Sequence, residues 1–160
     1  MVMQLAGISH RTPTSAEVAR VALLEGWLTE RRTGLDLARA YVHTKTASPA
    51  SGSLEMHIPL VDEPDLVLVV DVDVSADTLS LHWAVETDGP DWPAWTAGEW
   101  SWSSWEPVLD AELRRRFRVT VSRLGSAKRV ELEVAPGVWS VLQGGRLLGS
   151  REPRVFTISP

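Results

Sequence analysis

Residues 66–74 read LVLVVDVDV and, after the intervening SAD, residues 78–87 read TLSLHWAVET. In the first stretch Leu66, Leu68, Val70, Val72 and Val74 alternate with Val67, Val69, Asp71 and Asp73. This period of two predicts a half-buried strand with one wholly apolar face and another that turns acidic toward its end. In the second stretch Leu79, Leu81, Trp83 and Val85 alternate with Ser80, His82, Ala84 and Glu86. Two such strands around a short polar turn set the class of the chain.

The same alternation extends outward. Leu54 to Leu60 is short and strand-like, stopped by the turn chemistry of Asp62, Glu63 and Pro64. Phe117, Val119 and Val121 alternate with Arg116, Arg118, Thr120 and Ser122, and Val130, Leu132 and Val134 alternate with Arg129, Glu131 and Glu133. These two runs flank LGSAK and form a hairpin. Their apolar faces coincide only if an odd-numbered residue of the first opposes an even-numbered residue of the second, which sets Arg118 opposite or diagonal to Glu133. Two closing strands lie at Val138 to Leu142 and Arg154 to Ser159, joined through the Gly144–Gly145 turn. Six or seven short strands without a βαβ rhythm predict a mainly β domain, an antiparallel β-sandwich that is immunoglobulin-like or starch-binding-module-like.

The period before this region is nearer 3.6. Thr14 and Glu17 fit a T-x-x-E capping box, and Val18, Val21, Ala22, Leu24 and Leu28 recur at helical spacing, with Gly26 weakening the middle. Leu35 to His43 fits either a second short helix or an entering strand. Ala47 to Ser53 (ASPASGS) reads as a linker, so residues 1–52 are taken as a helical N-terminal segment and 53–160 as the β domain.

Composition narrows the chemistry. The 160 residues carry 21 acidic and 16 basic side chains, a formal net charge of -5, and no cysteine. The missing cysteine excludes thiol catalysis, Cys-ligated zinc and disulfides. An acidic balance argues against nucleic-acid binding. No apolar run approaches the roughly 20 residues that span a bilayer, and MVMQLAGISHRTP lacks a basic signal-peptide start. The expectation is a cytoplasmic product with no membrane partner.

Trp83, Trp92, Trp95, Trp100, Trp102 and Trp105 fall within 23 residues, interspersed with Gly89, Pro90, Pro93, Gly98 and Pro107. Such a stretch reads as loop, and a surface loop cannot hide six indoles in one core. Exposed rigid indoles suit ligands that combine apolar faces with hydroxyls, and sugars lead that class.

The order Leu81-His82-Trp83 in a strand, Trp92-Pro93, Val130-Glu131-Leu132, Trp139 and a closing Val155-Phe156-Thr157-Ile158 resembles carbohydrate-binding module family 45. These are the starch-binding modules at the N-terminal end of alpha-glucan water dikinases, and the likeness covers roughly Leu54 to Pro160. It implies a β-sandwich that binds α-glucan weakly and without catalysis, alone or as a module of a larger glucan-active enzyme, with Trp83 and Trp139 stacking on glucose rings. The family's His-Trp-Gly has Ala84 in its third place here, and the dikinase's phosphohistidine and nucleotide-binding parts have no counterpart. The loop argument adds Trp92, Trp95 and Trp100 as contacts, and a saccharide-binding role would draw hydrogen bonds to hydroxyls from side chains such as His82, Glu86 or Arg118. Alternation leaves one conflict open: Trp83 shares a face with Leu79, Leu81 and Val85, so it is structural if that face is the core, unless a position near the sheet edge or a bulge after Leu81 reverses it.

Other chemistries are weaker. Asp71 and Asp73 share a strand face and read as a solvated acidic stripe rather than a hydrolase pair. His10, His43, His57 and His82 occur singly, without the H-x-x-x-H spacing of local metal motifs, so no metal and no cofactor are expected. No G-x-S-x-G and no phosphate-binding loop is present. Arg114, Arg116 and Arg118 form a basic stripe that Glu131 and Glu133 can neutralise across the hairpin. The competing functional reading is a protein-interaction domain with the Trp-rich loop as its contact patch and the N-terminal helices as a homodimer surface.

Overall fold

A computed structural model describes residues 4–5, 11–31, 34–48, 51–86, 94–123 and 128–157. The fold is mainly β, with two sheets that are antiparallel apart from one short parallel pairing. The first sheet has six strands in sequence order: β1 (Gln4–Leu5), β2 (Tyr41–Ser48), β3 (Ser51–Pro59), β4 (Leu66–Asp73), β5 (Thr78–Val85) and β6 (Ala94–Ser101). The second has four, β7 (Arg116–Val121), β8 (Lys128–Ala135), β9 (Val138–Gln143) and β10 (Arg154–Thr157), in the order β10-β7-β8-β9. Helix α1 (Ser15–Arg31) precedes β2; a 3-10 turn (Trp102–Ser104) and helix α2 (Trp105–Leu113) join the sheets.

Helix α1 begins where the capping box places it. The Thr14 amide donates to Glu17 Oε2 at 2.7 Å and the Glu17 amide donates to Thr14 Oγ1 at 3.2 Å, satisfying two otherwise orphaned donors. Arg11 clasps the same carboxylate at 2.9 and 2.5 Å. Leu24, Trp27 and Leu28 form the buried stripe. Gly26 lies in the helix interior, and nothing stands within 4 Å of the point a Cβ would occupy there. Gly26→Ala should therefore raise stability by about 0.5–1 kcal/mol through reduced unfolded-state entropy, read as a higher urea midpoint at unchanged slope.

Three parts of the sequence reading change. The ASPASGS segment joins β2 to β3, which pair antiparallel out to Ser48↔Ser51. A break in packing does not follow there, because Leu24, Leu28 and Val42 belong to the same core cluster as Leu54 and Met56. Of the alternatives for residues 35–43, the strand holds from Tyr41. The tryptophan segment, read as loop, forms β6 and α2 over its described part. There the β5–β6 register shifts between Leu81/His82, leaving Ala97 as an extra residue on β6. Trp95 and Trp100, five apart, would lie on opposite faces of a regular strand. The bulge sets them opposite Trp83 and Leu79, both on the core side. Gly98 permits this turn of the chain: its φ is 155°, and a Cβ would sit 2.8 Å from the Trp100 ring.

The hairpin register follows the parity rule, with Phe117↔Leu132, Arg118↔Glu131 and Val119↔Val130, so Glu133 is diagonal to Arg118. Strand β4 is buried on both faces along Leu66–Val70, and Val67 and Val69 form a second small apolar cluster with Ala84. The main core draws on both sheets and both helices, and Trp83 meets Phe117 edge-on at 4.5 Å across it.

Candidate functional site

Of the side chains expected to stack on sugar, Trp83 is removed from that role by position. It is fully buried, and its Nε1–H donates to Glu112 Oε1 of α2 at 2.9 Å. A bulge does follow Leu81, but on β6 rather than β5, so Trp83 keeps its core orientation. Trp95 and Trp100 are half-buried against the core. Trp92 lies outside the described residues. Trp102 and Trp105 stack at 5.6 Å, Trp105 meets Trp27 edge-on at 5.5 Å, and the Arg20 guanidinium lies 4.4 Å over Trp102. These contacts dock α1 onto the 3-10 turn and the start of α2.

Trp139 is different. It lies on β9 opposite Glu133, half-buried on the outward side of the four-stranded sheet. The guanidinium of Arg118 sits 4.6 Å from its ring centroid and that of Arg116 at 6.0 Å. Glu131 binds Arg118 through two 2.8 Å hydrogen bonds, and Arg118 holds the Glu131 carboxyl below its ordinary value. Glu133 pairs with Arg116 at 3.2 Å and accepts the Gly137 amide at 2.8 Å. Glu133 also lines a shallow cavity of about 370 Å³ between residues 114–116 and 133–136. The result is an indole set among fixed donors and acceptors on a sheet face.

The outer face of the six-stranded sheet carries a second polar array. His82 is there, half-buried, with Nδ1 3.1 Å from Thr96 Oγ1. Farther along the sheet, cross-strand pairing sets His43 opposite Glu55 and Tyr41 opposite His57. His43 Nε2 lies 2.8 Å and His57 Nε2 3.4 Å from Glu55 Oε2, and Lys45 holds the other oxygen of that carboxylate. Tyr41 donates to Glu86 Oε1 at 2.7 Å, and the same oxygen is 3.1 Å from His57 Nδ1.

Burial works against ionisation throughout this array, and the pairings decide the outcome. For Glu55 burial alone would raise the pKa, but His57, Lys45 and His43 outweigh it and hold the carboxyl at about 2. Burial lowers His57, yet Glu55 and Glu86 on its two sides leave it raised overall. Glu86 is lowered by His57 despite burial, whereas burial pushes Asp71 up. Tyr41 is raised by burial and by the Glu86 carboxylate.

Among the described residues, His43, Glu55 and His57 form the group of His, Asp and Glu side chains that brings three ligand-type atoms within 4.8 Å of one another. The expectation of no metal rests on spacing within one segment. Residues 43 and 55–57 lie too far apart for that test, and only the β2–β3 register joins them. A single His facing a Glu-x-His pair across a hairpin has no short signature.

No helix among the described residues is long and apolar enough to cross a membrane. Neither a protein-family model, nor a curated protein, nor a solved structure matches this chain.

Proposed function

We propose that the chain is a non-catalytic saccharide-binding module of β-sandwich type that takes an α-glucan on the outward face of β7–β8–β9. The supporting observation is Trp139, an accessible indole beside Arg116, Arg118, Glu131 and Glu133. A pyranose presents C–H groups on its faces and hydroxyls at its rim. The Arg118 and Arg116 guanidiniums lie over one face of the Trp139 ring, so the sugar stacks on the rest of the indole with those donors and the paired carboxylates beside it. One indole, rather than the shelf of several expected from sequence, makes this a shallow and weak site.

Migration through a native gel cast with amylopectin or glycogen tests the reading. Retardation should fall about tenfold in Trp139→Ala, of the order of one stacked ring contact together with its buried area. It should persist in His82→Ala, on the other sheet. Equal retardation of wild type and Trp139→Ala ends the proposal.

A protein-contact reading has one observation in its favour. Val138 and Val141 are 54% and 44% exposed on the edge strand β9, and Val134 is 37% exposed on its neighbour β8. A stable oligomer by sedimentation, lost in Val141→Lys and with no polysaccharide retardation, would favour it.

A further inference from the structure

The β2–β3 register builds a two-by-two block of ligand-type side chains, Tyr41 and His43 on one strand facing His57 and Glu55 on the next. We propose that His43, Glu55 and His57 bind a divalent transition-metal ion, zinc being the best match. Its ligands are the two Nε2 atoms and Glu55 Oε2, with a fourth position left for water or an incoming ligand. This goes beyond the glucan reading and does not depend on it.

The donor geometry is the first reason. An ion about 2.0–2.2 Å from tetrahedral nitrogen and oxygen ligands holds those ligands roughly 3.3–3.5 Å apart. The two histidine-to-carboxylate distances, 2.8 and 3.4 Å, are close to that separation, and the three residues each bring a ligand-type atom within 4.8 Å of the other two. Only a side-chain adjustment is needed. The His43 and His57 rings lie 4.7 Å apart and are tilted by 37°, so both can turn a nitrogen toward one point.

The surroundings of His57 are the second reason. Its Nδ1 meets Glu86 Oε1, and Tyr41 donates to that same oxygen. A carboxylate behind a ligating imidazole fixes the tautomer, with the proton on Nδ1 and the Nε2 lone pair facing the ion. Tyr41 also stacks on the His57 ring at 4.7 Å and limits its rotation. Glu86 and Tyr41 are thus positioning residues.

Burial is the third. His57 is 1% and Glu55 8% exposed, and His43 Nδ1 is buried without a hydrogen-bond partner. Burying ionisable atoms is costly unless they are paired or ligate a cation. The pairings of Glu55 and His57 meet that cost only in part, and a ligating His43 would be turned by the ion, giving its orphaned Nδ1 a new setting. Lys45 occupies Glu55 Oε1, which leaves Oε2 as a single-oxygen ligand. Any proton on either Nε2 passes to solvent as the ion binds. The rival account, a salt-bridge network complete without an ion, makes the opposite prediction.

The test uses the tag-free 160-residue chain, stripped with EDTA, dialysed, and titrated with ZnCl₂ by calorimetry and with CoCl₂ by absorption. One ion per chain is expected, with the intense visible absorption of four-coordinate cobalt. His43→Gln and Glu55→Gln should each weaken binding by about a hundredfold or more, at the upper end of what outer partners contribute. Glu86→Gln should weaken it by roughly 10–100-fold with stoichiometry kept, and His82→Gln should leave it unchanged. His43 is only half-buried, so His43→Gln, checked by circular dichroism, is the variant that remains folded. No saturable zinc or cobalt binding by the folded wild type, or unchanged binding by folded His43→Gln, overturns the proposal.

Discussion

Trp83→Ala is expected to lower the free energy of unfolding by about 3–5 kcal/mol, the range for deleting a fully buried large side chain. That is a substantial part of the roughly 5–15 kcal/mol typical of a whole domain. Three losses combine. The ring leaves a cavity between the two sheets where it meets Phe117 edge-on at 4.5 Å. Glu112, itself buried, loses the indole N–H bonded at 2.9 Å. Strand β6 loses the partner opposite Trp95. Urea unfolding followed by far-ultraviolet circular dichroism measures the change, since fluorescence would itself shift with the tryptophan count. A destabilisation below about 1 kcal/mol would show that this ring is not a core element. Trp139→Ala should cost much less, because its ring is half solvated on the sheet exterior.

This contrast between two tryptophans shows where sequence carries structural information and where it does not. The capping box at Thr14 and Glu17, the two-residue alternation of β4 and β5, and the parity of the β7–β8 hairpin all act over a few residues. Local sterics and side-chain direction decide them, so they are legible. The face of Trp83 was only half legible: alternation sets it with Leu79 and Leu81, where the core lies, but alternation alone does not exclude a bulge after Leu81 that would reverse it. The tryptophan segment misleads because its glycines and prolines mark it as loop, whereas residues 94–101 pair with β5 and one extra residue, Ala97, brings Trp95 and Trp100 to the same face. Alternation counted along residues 94–101 cannot register a bulge whose partner is another strand. Gly98 was the available clue, a glycine inside a strand pattern next to a bulky ring.

The outer face of the six-stranded sheet was illegible for a related reason. His43 and Glu55 are twelve residues apart, and Glu86 lies a further 31 beyond Glu55, so their meeting depends on the register of β2, β3, β4 and β5 together. A turn moved by one residue would put His57 in the core and Met56 outside. The apolar run Leu54, Met56, Ile58 fixes that register by burying one face of β3. The polar cluster is therefore a consequence of hydrophobic patterning on the opposite side of the same strand. The Arg stripe shows the intermediate case: Arg116 and Arg118 lie on β7 as alternation requires, whereas Arg114 caps the end of α2 and pairs with Asp110.

The chelator-treated protein should lose stability in acid, with Glu55 as the largest single contributor. Its carboxyl falls from an ordinary 4.5 to about 2 in the folded state, because His57, Lys45 and His43 overcome the opposing effect of burial. At ~1.36 kcal/mol per pH unit the difference corresponds to about 3 kcal/mol. A lowered carboxyl stabilises fully above its unfolded value, so this contribution is intact above about pH 5 and drains as the pH falls toward 2. Glu17, Glu86 and Glu131 are lowered as well and act in the same direction. His57 has the opposite sign. Its raised value stabilises the fold below the unfolded 6.5 and is lost as the pH climbs through the folded value. Stability should thus peak between about pH 5 and 6.5. Urea midpoints at about pH 3, 6 and 8 in EDTA check this. Glu55→Gln should be weaker than wild type near pH 6, with the gap reduced to somewhat less than half near pH 3 and closing only toward pH 2, where the folded carboxyl itself takes up its proton. Parallel pH profiles for the two proteins would mean that Glu55 is not held ionised by its neighbours.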